Sequence, residues 1–536
     1  MKKQSFLKGS VILIISAVVA KAVGALFKIP LTNMLGGVGM SYFSCAYGLF
    51  LPVYALTATG LTTAVAKLTA ENCAYRNYRN VRKINRVSLA LFSLVGLAGS
   101  VLVAVLSKPF AEKVTACPKA ELSILMIAPC VLFGCITAVY RGSWEGMRNM
   151  YPTAVSQVIE AVIRLTAGLF LCSYVLNHPE RILAMLPEGT DIYAAAAAAA
   201  VLGISLSTLA GTLFLYIRGT GTELRNTAFS PQPEESTRSV IKSLFKILIP
   251  VALGSIVTNL TSLIDLATII RCLDRTIKNY PELLTERYGL EGIQPEDISD
   301  FIYGSFTGLA VTVFNLIPSV TNMFGKGILP SIAESWTKSD RNAVEKLSEN
   351  VIAATAFIAV PSGLGICFLA NPILLFIFPN RIRECAVSEQ SLAFLGIAVI
   401  FLALSFPIFS CLQATGRADI PVKLMLAGVA VKLAGNLVLI TIPEINVAGA
   451  AISTLLCYFI IFVFSAVLYQ KYAGIKIHPF RTLLPSLFSG TFCAVTAWLV
   501  YPHIPLKNLY ALPLAVCAGG TVYLLCTFII KVKGRH

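Results

Sequence analysis

The chain has 536 residues, of which 56% are hydrophobic and only 13% are charged. This charged fraction lies well below the ~25% of typical soluble domains, which excludes an ordinary soluble protein. The formal net charge of +16 does not indicate a nucleic-acid partner, because most Lys and Arg residues lie in short loops between apolar runs. The sequence also has no RNP motif, zinc module or basic helix.

Apolar runs that are long enough to cross a bilayer recur along the whole chain. A hydrocarbon core of ~30 Å is crossed by about 20 apolar residues in a helix. The sequence therefore predicts an all-α polytopic membrane protein with about 14 transmembrane helices. The predicted spans are 9–35, 41–70, 87–107, 121–141, 152–176, 192–217, 243–269, 301–333, 350–370, 391–414, 421–441, 446–470, 482–500 and 512–530.

The loops between these spans indicate the orientation of the chain. Loops on the side of the two termini, such as 71–86 and 218–242, are richer in Lys and Arg than loops on the opposite side, such as 371–390. Positive charge is enriched in cytoplasmic loops of membrane proteins. We therefore expect a multi-pass protein of the cell membrane with both termini in the cytoplasm.

Two short patterns occur twice and indicate an internal repeat. RNMYP at 148–152 is matched by RADIP at 417–421, and LFLPVYALTATG at 49–60 by NLIPSVTNMFGKG at 315–327. The matches predict two parallel, pseudo-repeated bundles around a central cavity that opens by alternating access. The predicted parts are an N-terminal six-helix lobe 1–217, a cytoplasmic linker 218–242, a C-terminal six-helix lobe 243–470, and two additional transmembrane helices with a basic tail in 471–536.

Glycine and proline residues inside the spans are candidates for hinges. The four candidates are Gly24, Pro30, Pro52 and Pro318. Such residues persist in lipid where neighbouring helices or a wet cavity satisfy the freed backbone groups. Ordinary helix packing is the alternative explanation for them.

Several basic residues lie inside the predicted spans, where a charge is costly and usually functional. Lys21, Arg164 and Lys432 lie near the middle of the bilayer, and Lys28 and Lys326 also fall within spans. Arg164 and Lys432 are one position out of register at the repeat offset of the RxxxP pattern. An excess of buried cations favours an anionic substrate, and phosphate is the natural match for Lys and Arg. We therefore predict that these five residues bind an anionic head group.

The acidic residues inside the spans are fewer. Glu160 lies four residues before Arg164, so these two side chains can pair on one helix face. Asp265 lies in a polar patch with Asn259, where it can bind a coupling cation, change protonation or balance Lys21. We predict that Glu160, Asp265 and Asn259 act in coupling or as counter-charges, and that transport is coupled to membrane potential, H⁺ or Na⁺.

Motifs for catalysis and for cofactors are missing from the sequence. It has no P-loop pattern, its four histidines lie in loops or at the end, and its cysteines lie mostly in apolar runs without CxxC spacing. We therefore expect reduced cysteines, no metal, no cofactor, and a secondary-type transporter rather than an enzyme.

Three segments carry a family resemblance. The segment from AKAVGALFKIP to AVAKLTAE (20–71), together with GILPSIAES (327–335) and LQATGRADIP (412–421), resembles the polysaccharide-transport branch of the multidrug/oligosaccharidyl-lipid/polysaccharide exporter superfamily. Within this branch the chain is similar to the group of stage V sporulation protein B and to lipid II flippases. The resemblance covers nearly the whole chain.

The resemblance implies two lobes in a V shape, as in MATE transporters, and a cationic central cavity. It also implies that Lys21 in AKAVG and Lys28 in FKIP occupy basic positions of the family. The matching part of the eighth span, VTVFNLIP (311–318), lacks the basic residue of lipid II flippases, and Lys326 lies later.

The function that follows is a flippase for an undecaprenyl-pyrophosphate-linked oligosaccharide or peptidoglycan precursor. It would act from the inner to the outer leaflet in cell-wall, spore-cortex or polysaccharide synthesis. Its expected partners are the lipid-linked glycan, membrane lipid and cell-wall synthesis enzymes. Two alternatives are a multidrug or cation antiporter of the same fold, which needs carboxylates in the cavity, and a membrane glycan polymerase or ligase, which needs paired catalytic groups.

Overall fold

The structure is a computed structural model that describes residues 6–54, 60–187, 190–219, 235–474 and 479–533. Within these ranges the chain is helical and forms no β-strand. The helices are α1 (Phe6–Tyr54), α2 (Gly60–Ala74), α3 (Tyr78–Val105), α4 (Ser107–Lys113), α5 (Glu121–Ile127), α6 (Pro129–Gly146), α7 (Tyr151–Asn177), α8 (Pro179–Leu183), α9 (Ile192–Arg218), α10 (Thr237–Asn279), α11 (Pro281–Tyr288), α12 (Ile298–Ser305), α13 (Val311–Phe314), α14 (Leu316–Thr337), α15 (Arg341–Phe368), α16 (Ala370–Ile377), α17 (Ile382–Ala414), α18 (Asp419–Leu439), α19 (Ala448–Ala473), α20 (Pro479–Val500) and α21 (Asn508–Lys533).

Short helical turns connect several of these helices. They are the 3₁₀ turns Pro118–Ala120, Pro295–Asp297 and Tyr501–His503 and the π-helical turn Phe306–Ala310.

Twelve stretches of the described chain are long and apolar enough to cross a membrane, which confirms the predicted all-α polytopic class. They are Ile15–Tyr54, Tyr78–Val105, Pro118–Gly146, Tyr151–Asn177, Ile192–Arg218, Pro295–Thr337, Arg341–Phe368, Ile382–Ala414, Asp419–Leu439, Ala448–Ala473, Thr482–His503 and Asn508–Ile530. Two fewer are found than predicted. Ile15–Tyr54 joins the first predicted span to the start of the second, and the predicted span 243–269 lies in α10, which is not among the twelve.

The described chain divides into two compact units. The first unit contains Met1–Leu35 and Gly39–Ala267, and the second contains Gly36–Val38 and Thr268–His536. The division falls inside α10, so the predicted lobe bounds 1–217 and 243–470 stay a prediction.

The first unit has an apolar core shared by α2, α3, α6 and the first half of α10. Leu61, Val65, Phe92, Leu244 and Leu248 are buried in this core. Elsewhere in the unit, α7 and α9 approach closely at Gly168 and Gly203: a Cβ built on Gly203 would lie 2.4 Å from the Cα of Gly168. Small residues allow such close helix contacts in membrane proteins.

The second unit is held together around α15. Glycines at the α15–α17 contact bring the two backbones together, because a Cβ on Gly363 would lie 2.5 Å from the Gly396 carbonyl oxygen. The Ser348 and Tyr469 hydroxyls are 2.8 Å apart and join α15 to α19. The Tyr523 hydroxyl donates to the Phe357 carbonyl at 2.9 Å, which ties α21 to α15.

The helix α1 contains a backbone break at Gly36, where φ is 64° and ψ is −168°. This left-handed conformation favours glycine, and a Cβ there would lie 2.7 Å from an Arg381 guanidinium nitrogen. Pro30 and Pro52 lie inside the helix, which also runs through Gly24, and Pro318 lies in the first turn of α14. The hinge roles of these four residues stay a prediction, and Gly36 was not among them.

The two RxxxP segments of the predicted repeat lie in similar connections between helices, α6 to α7 and α17 to α18. After α6 the chain turns through Arg148 with φ 58° and starts α7 at Tyr151. After α17 it turns through Gly416 with φ 84° and starts α18 at Asp419. The turn residue and the helix start are therefore spaced alike in both places.

Candidate functional site

The best-defined charged site of the first unit is an ion pair between α6 and α7. Arg141 Nη2 lies 2.9 Å from Glu160 Oε1, and the two residues are only 8% and 7% exposed. The Nε of Arg141 donates to the Ser156 hydroxyl at 3.0 Å, and that hydroxyl donates to the Thr153 carbonyl. The guanidinium is thus fixed between two turns of α7.

A third helix makes room for this ion pair. A Cβ built on Gly211 of α9 would lie 2.4 Å from Glu160 Oε1. Next to this contact, the hydroxyls of Thr137 on α6 and Thr212 on α9 are 2.7 Å apart. The absence of a side chain at Gly211 therefore allows the Glu160 carboxylate to pack against the α9 backbone.

Arg164 lies one helical turn beyond Glu160, but it is not the ion-pair partner of Glu160. The predicted Glu160–Arg164 pair is wrong, because the Glu160 carboxylate points to Arg141 on the neighbouring helix. The Nε of Arg164 is buried and has no hydrogen-bond partner. Most buried polar groups in native proteins are hydrogen-bonded, so this donor is a candidate for contact with a substrate oxygen.

Sequence reasoning missed Arg141 because the apolar run was expected to end at residue 141, with the following residues in a cytoplasmic loop. The structure instead continues α6 to Gly146 and buries Arg141 and Trp144. The signal that could have found it is TAVYRGSWEG, in which small and aromatic residues continue the apolar pattern past the arginine.

Two predicted cations lie on α1. Lys21 is exposed and Lys28 is half-buried. Seven residues make two helical turns, so both side chains share one face about 10 Å apart along the axis. The sequence pattern thus places two ammonium groups on one stripe of the first apolar helix.

The second unit has its own buried cation. Lys432 of α18 is 3% exposed, and Asn436 lies one turn later on the same helix. The Asn436 amide donates to the Thr268 hydroxyl of α10 at 3.0 Å. Lys326 lies in α14, but its side chain is outside the described residues.

The remaining predicted residues lie on α10. Asp265 and Asn259 are both half-buried, and each has an interaction partner. Their coupling role stays a prediction. In the part of the chain that the structure describes, no cluster of His, Cys, Asp and Glu could hold a metal ion.

Charge is the main chemical property of the site in the first unit. Two arginines, Arg141 and Arg164, lie at this site with two carboxylates, because Glu145 of α6 also interacts with Arg141 beside Glu160. The Arg164 Nε, which has no hydrogen-bond partner, can donate a charge-assisted hydrogen bond to a carboxylate or phosphate oxygen.

Comparison with known families matches most of the chain. The profile described as "Polysaccharide biosynthesis protein" matches residues 6–336. The profile described as "Lipid II flippase MurJ" matches residues 299–516.

Two curated proteins of Bacillus subtilis (strain 168) are similar over most of their lengths. The chain is 24% identical to stage V sporulation protein B over 461 residues, which cover 84% of this chain and 81% of that protein. It is 22% identical to lipid II flippase MurJ over an alignment of 559 positions, gaps included, which covers 99% of this chain and 97% of that protein.

Solved structures show the same fold. Lipid II flippase MurJ in an inward closed conformation matches with a TM-score of 0.68 and 14% identity, over 99% of this chain and 100% of that chain. An inward-facing MATE-family multidrug resistance transporter matches with a TM-score of 0.61 and 12% identity, over 85% of this chain and 98% of that chain. The resemblance found in the sequence is confirmed, and these relatives are flippases and transporters.

Proposed function

The chain belongs to the polysaccharide biosynthesis protein family, and we propose that it is a flippase for a lipid-linked glycan. The substrate would be an undecaprenyl-pyrophosphate-linked oligosaccharide or peptidoglycan precursor that moves from the inner to the outer leaflet. The name of the relative lipid II flippase MurJ supports this class of substrate, and the relative stage V sporulation protein B supports a role in sporulation.

One observation carries the proposal. Arg164 of the first unit is half-buried, and its Nε is buried without a hydrogen-bond partner, while the nearby Glu160 carboxylate pairs with Arg141. A buried polar atom without a hydrogen bond costs free energy, so an oxygen acceptor at this nitrogen is favourable. A pyrophosphate supplies oxygen acceptors and negative charge, and its lipid tail can stay in the bilayer.

The other predicted cations fit the same role. Lys21 and Lys28 on one face of α1, Lys326, and Lys432 in the second unit would hold the head group at successive stages of an alternating-access cycle. Asp265 and Asn259 would couple the cycle to membrane potential, H⁺ or Na⁺. With both termini in the cytoplasm, the glycan would be delivered to cell-wall synthesis enzymes outside the cell.

A multidrug antiporter is the second candidate, because the fold also matches a MATE transporter. A site for an organic cation needs carboxylates and aromatic faces. The Arg164 Nε has no hydrogen-bond partner, and a charged donor of this kind favours an anion over a cation.

The two functions are separated by transport in proteoliposomes. We expect a fluorescent undecaprenyl-pyrophosphate disaccharide to become accessible to a membrane-impermeant quencher in the second leaflet, and a cationic dye to stay where it is. Lys21→Ala and Lys28→Ala should abolish flipping. The matched control is Lys423→Ala, which removes an exposed lysine of α18 that pairs with Asp419 and should leave flipping unchanged.

The opposite pattern would overturn the proposal. Dye transport without glycolipid flipping would indicate the antiporter. Flipping at the wild-type rate by both α1 variants would remove the lysines from the substrate path.

A further inference from the structure

The second unit contains a cavity of about 650 Å³ that is separate from the charged residues described above. Its walls come from the end of α11, the α15–α16 junction, α17 and the end of α20. Cavities of roughly 300–1,000 Å³ with apolar walls and a few placed polar groups are typical of small-molecule sites.

The apolar part of the wall is largely aromatic. Phe368, Tyr288, Trp498 and Tyr501 all line the cavity, and Trp498 is 51% exposed. Tyr and Trp offer a flat apolar face together with a polar O–H or N–H edge. The Tyr501 hydroxyl donates to Asn508 at 3.0 Å, and the Asn508 amide donates to the Pro372 carbonyl at 3.0 Å, so the Tyr501 side chain is held in place.

Arg287 braces the cavity wall. Its Nη1 donates to the carbonyls of Pro443 and Glu444, and its Nη2 donates to the Gln390 side-chain oxygen at 3.3 Å. These contacts tie α11 to α17 and to the loop before α19. Because its terminal nitrogens are committed to neutral oxygens, Arg287 shapes the wall and is a poor receptor for phosphate.

The polar groups that remain available are neutral or acidic. The Glu389 carboxylate and the Asn371 amide line the cavity, and among the described residues neither has a hydrogen bond or an ion pair. A carboxylate accepts, and an amide both donates and accepts. Together they match the hydroxyls of a sugar, while the rings can cover its apolar C–H face.

We propose that this cavity binds a pyranose saccharide, with Trp498 packed on the sugar ring and Glu389 and Asn371 bonded to its hydroxyls. The identity of that saccharide as the glycan of the transported lipid rests on the proposed function. The predicted topology puts the loop 371–390 on the side opposite the termini, so the site would hold the glycan where it leaves the protein.

Direct binding of a free sugar tests the site without any transport. The protein is placed in nanodiscs, because maltoside detergents would themselves present a sugar, and N,N′-diacetylchitobiose is titrated while tryptophan fluorescence is recorded. We expect saturable binding in the wild type. Trp498→Ala should remove the fluorescence response, so the affinity of that variant is read by saturation-transfer NMR.

Variants of cavity residues and of control residues show whether the sugar binds in this cavity. Glu389→Gln should weaken binding about tenfold, which is the effect of one lost charge-assisted contact. Trp498→Ala should weaken binding about tenfold through the lost ring contact. The controls are Glu296→Gln, an exposed carboxylate, and Phe492→Ala, an exposed ring of α20. Neither control residue lines the cavity, so binding should be unchanged. Because Glu389 is exposed, its variant should fold even if Trp498→Ala does not.

Three outcomes overturn the saccharide site: no saturable binding in the wild type, equal losses in the control variants, or displacement of the sugar by phosphoethanolamine, which would indicate a lipid head group. Flipping is measured in proteoliposomes made from the same purified protein that is used for the sugar titration in nanodiscs. The two measurements together separate the two proposals. Intact flipping without sugar binding removes this site alone, and sugar binding without flipping removes the flippase.

Discussion

Arg164 of α7 and Lys432 of α18 lie the same number of residues after the first residue of their helices. The shift along the chain that carries Tyr151, the first residue of α7, onto Asp419, the first residue of α18, also carries Arg164 onto Lys432. The same shift carries the left-handed turn residue Arg148 onto Gly416. When the two RxxxP patterns are aligned, the two cations are one residue apart. When the first residues of the two helices are aligned, the two cations coincide.

The first prediction concerns this equivalence. Arg164→Gln and Lys432→Gln should each slow flipping about tenfold or more, because each removes one charge-assisted contact of about 1.5–3 kcal/mol to the head group. Initial flipping rates in proteoliposomes provide the measurement. Thermal unfolding of Arg164→Gln should stay near that of the wild type, because this guanidinium lacks a partner at Nε. If either variant flips at the wild-type rate, the two cations do not share a function.

The second prediction concerns the buried ion pair. Arg141→Gln and Glu160→Gln should each destabilise the first unit by about 3–5 kcal/mol, because each leaves a buried charge without its partner. The double variant Arg141→Gln with Glu160→Gln should recover most of that loss. Chemical unfolding in nanodiscs measures the effect. Recovery by Glu160→Gln with Arg164→Gln instead would contradict the observed pairing.

The contrast between Arg164 and Arg141 shows how far the sequence could predict this site. Charges in the middle of long apolar runs, such as Lys21, Arg164 and Lys432, are visible from hydropathy alone. The partner of Glu160 is not visible, because it depends on α6 packing beside α7, and no periodic pattern of the sequence specifies that contact.

The fold shows the same limit at Gly36. The all-α class follows from the apolar runs, but the break in α1 was not predicted at LGGVG, because prolines at 30 and 52 are stronger sequence signals for a bend. In the structure the helix continues through both prolines and changes direction at a glycine that packs against Arg381.

The third prediction compares two glycines of α1. Gly36→Ala should destabilise the protein by about 1–3 kcal/mol, because it puts a Cβ on a left-handed residue and 2.7 Å from the Arg381 guanidinium. Gly24→Ala has no atom within 4 Å of the new Cβ and should leave the stability unchanged or slightly raised. Thermal unfolding measures both. If Gly24 is a hinge, its alanine variant should still slow flipping, whereas normal flipping would remove it from the hinge candidates.

The fourth prediction concerns coupling. Asp265→Asn should change how the flipping rate depends on membrane potential or on a Na⁺ or H⁺ gradient, because it removes a charge from a half-buried position of α10. Rates are measured with imposed gradients, and Ser262→Ala on the exposed side of the same helix is the control. An unchanged gradient dependence with a normal rate would leave Asp265 as a structural counter-charge.

The last prediction tests the packing that holds the ion pair. Gly211→Ala should destabilise the first unit by about 1–3 kcal/mol, because the new methyl overlaps the Glu160 carboxylate at 2.4 Å. The added methyl also pushes Glu160 away from Arg141, so flipping should fall along with stability. Gly365→Ala, in a helix of the second unit where a Cβ meets no atom within 4 Å, is the matched control and should be neutral. Glu160→Ala should destabilise the protein by itself, but adding Gly211→Ala to it should cost little more, since the side chain that clashed is gone. A full additional loss in that double variant would show that Gly211 is required for a backbone contact of α9 and not for the position of Glu160.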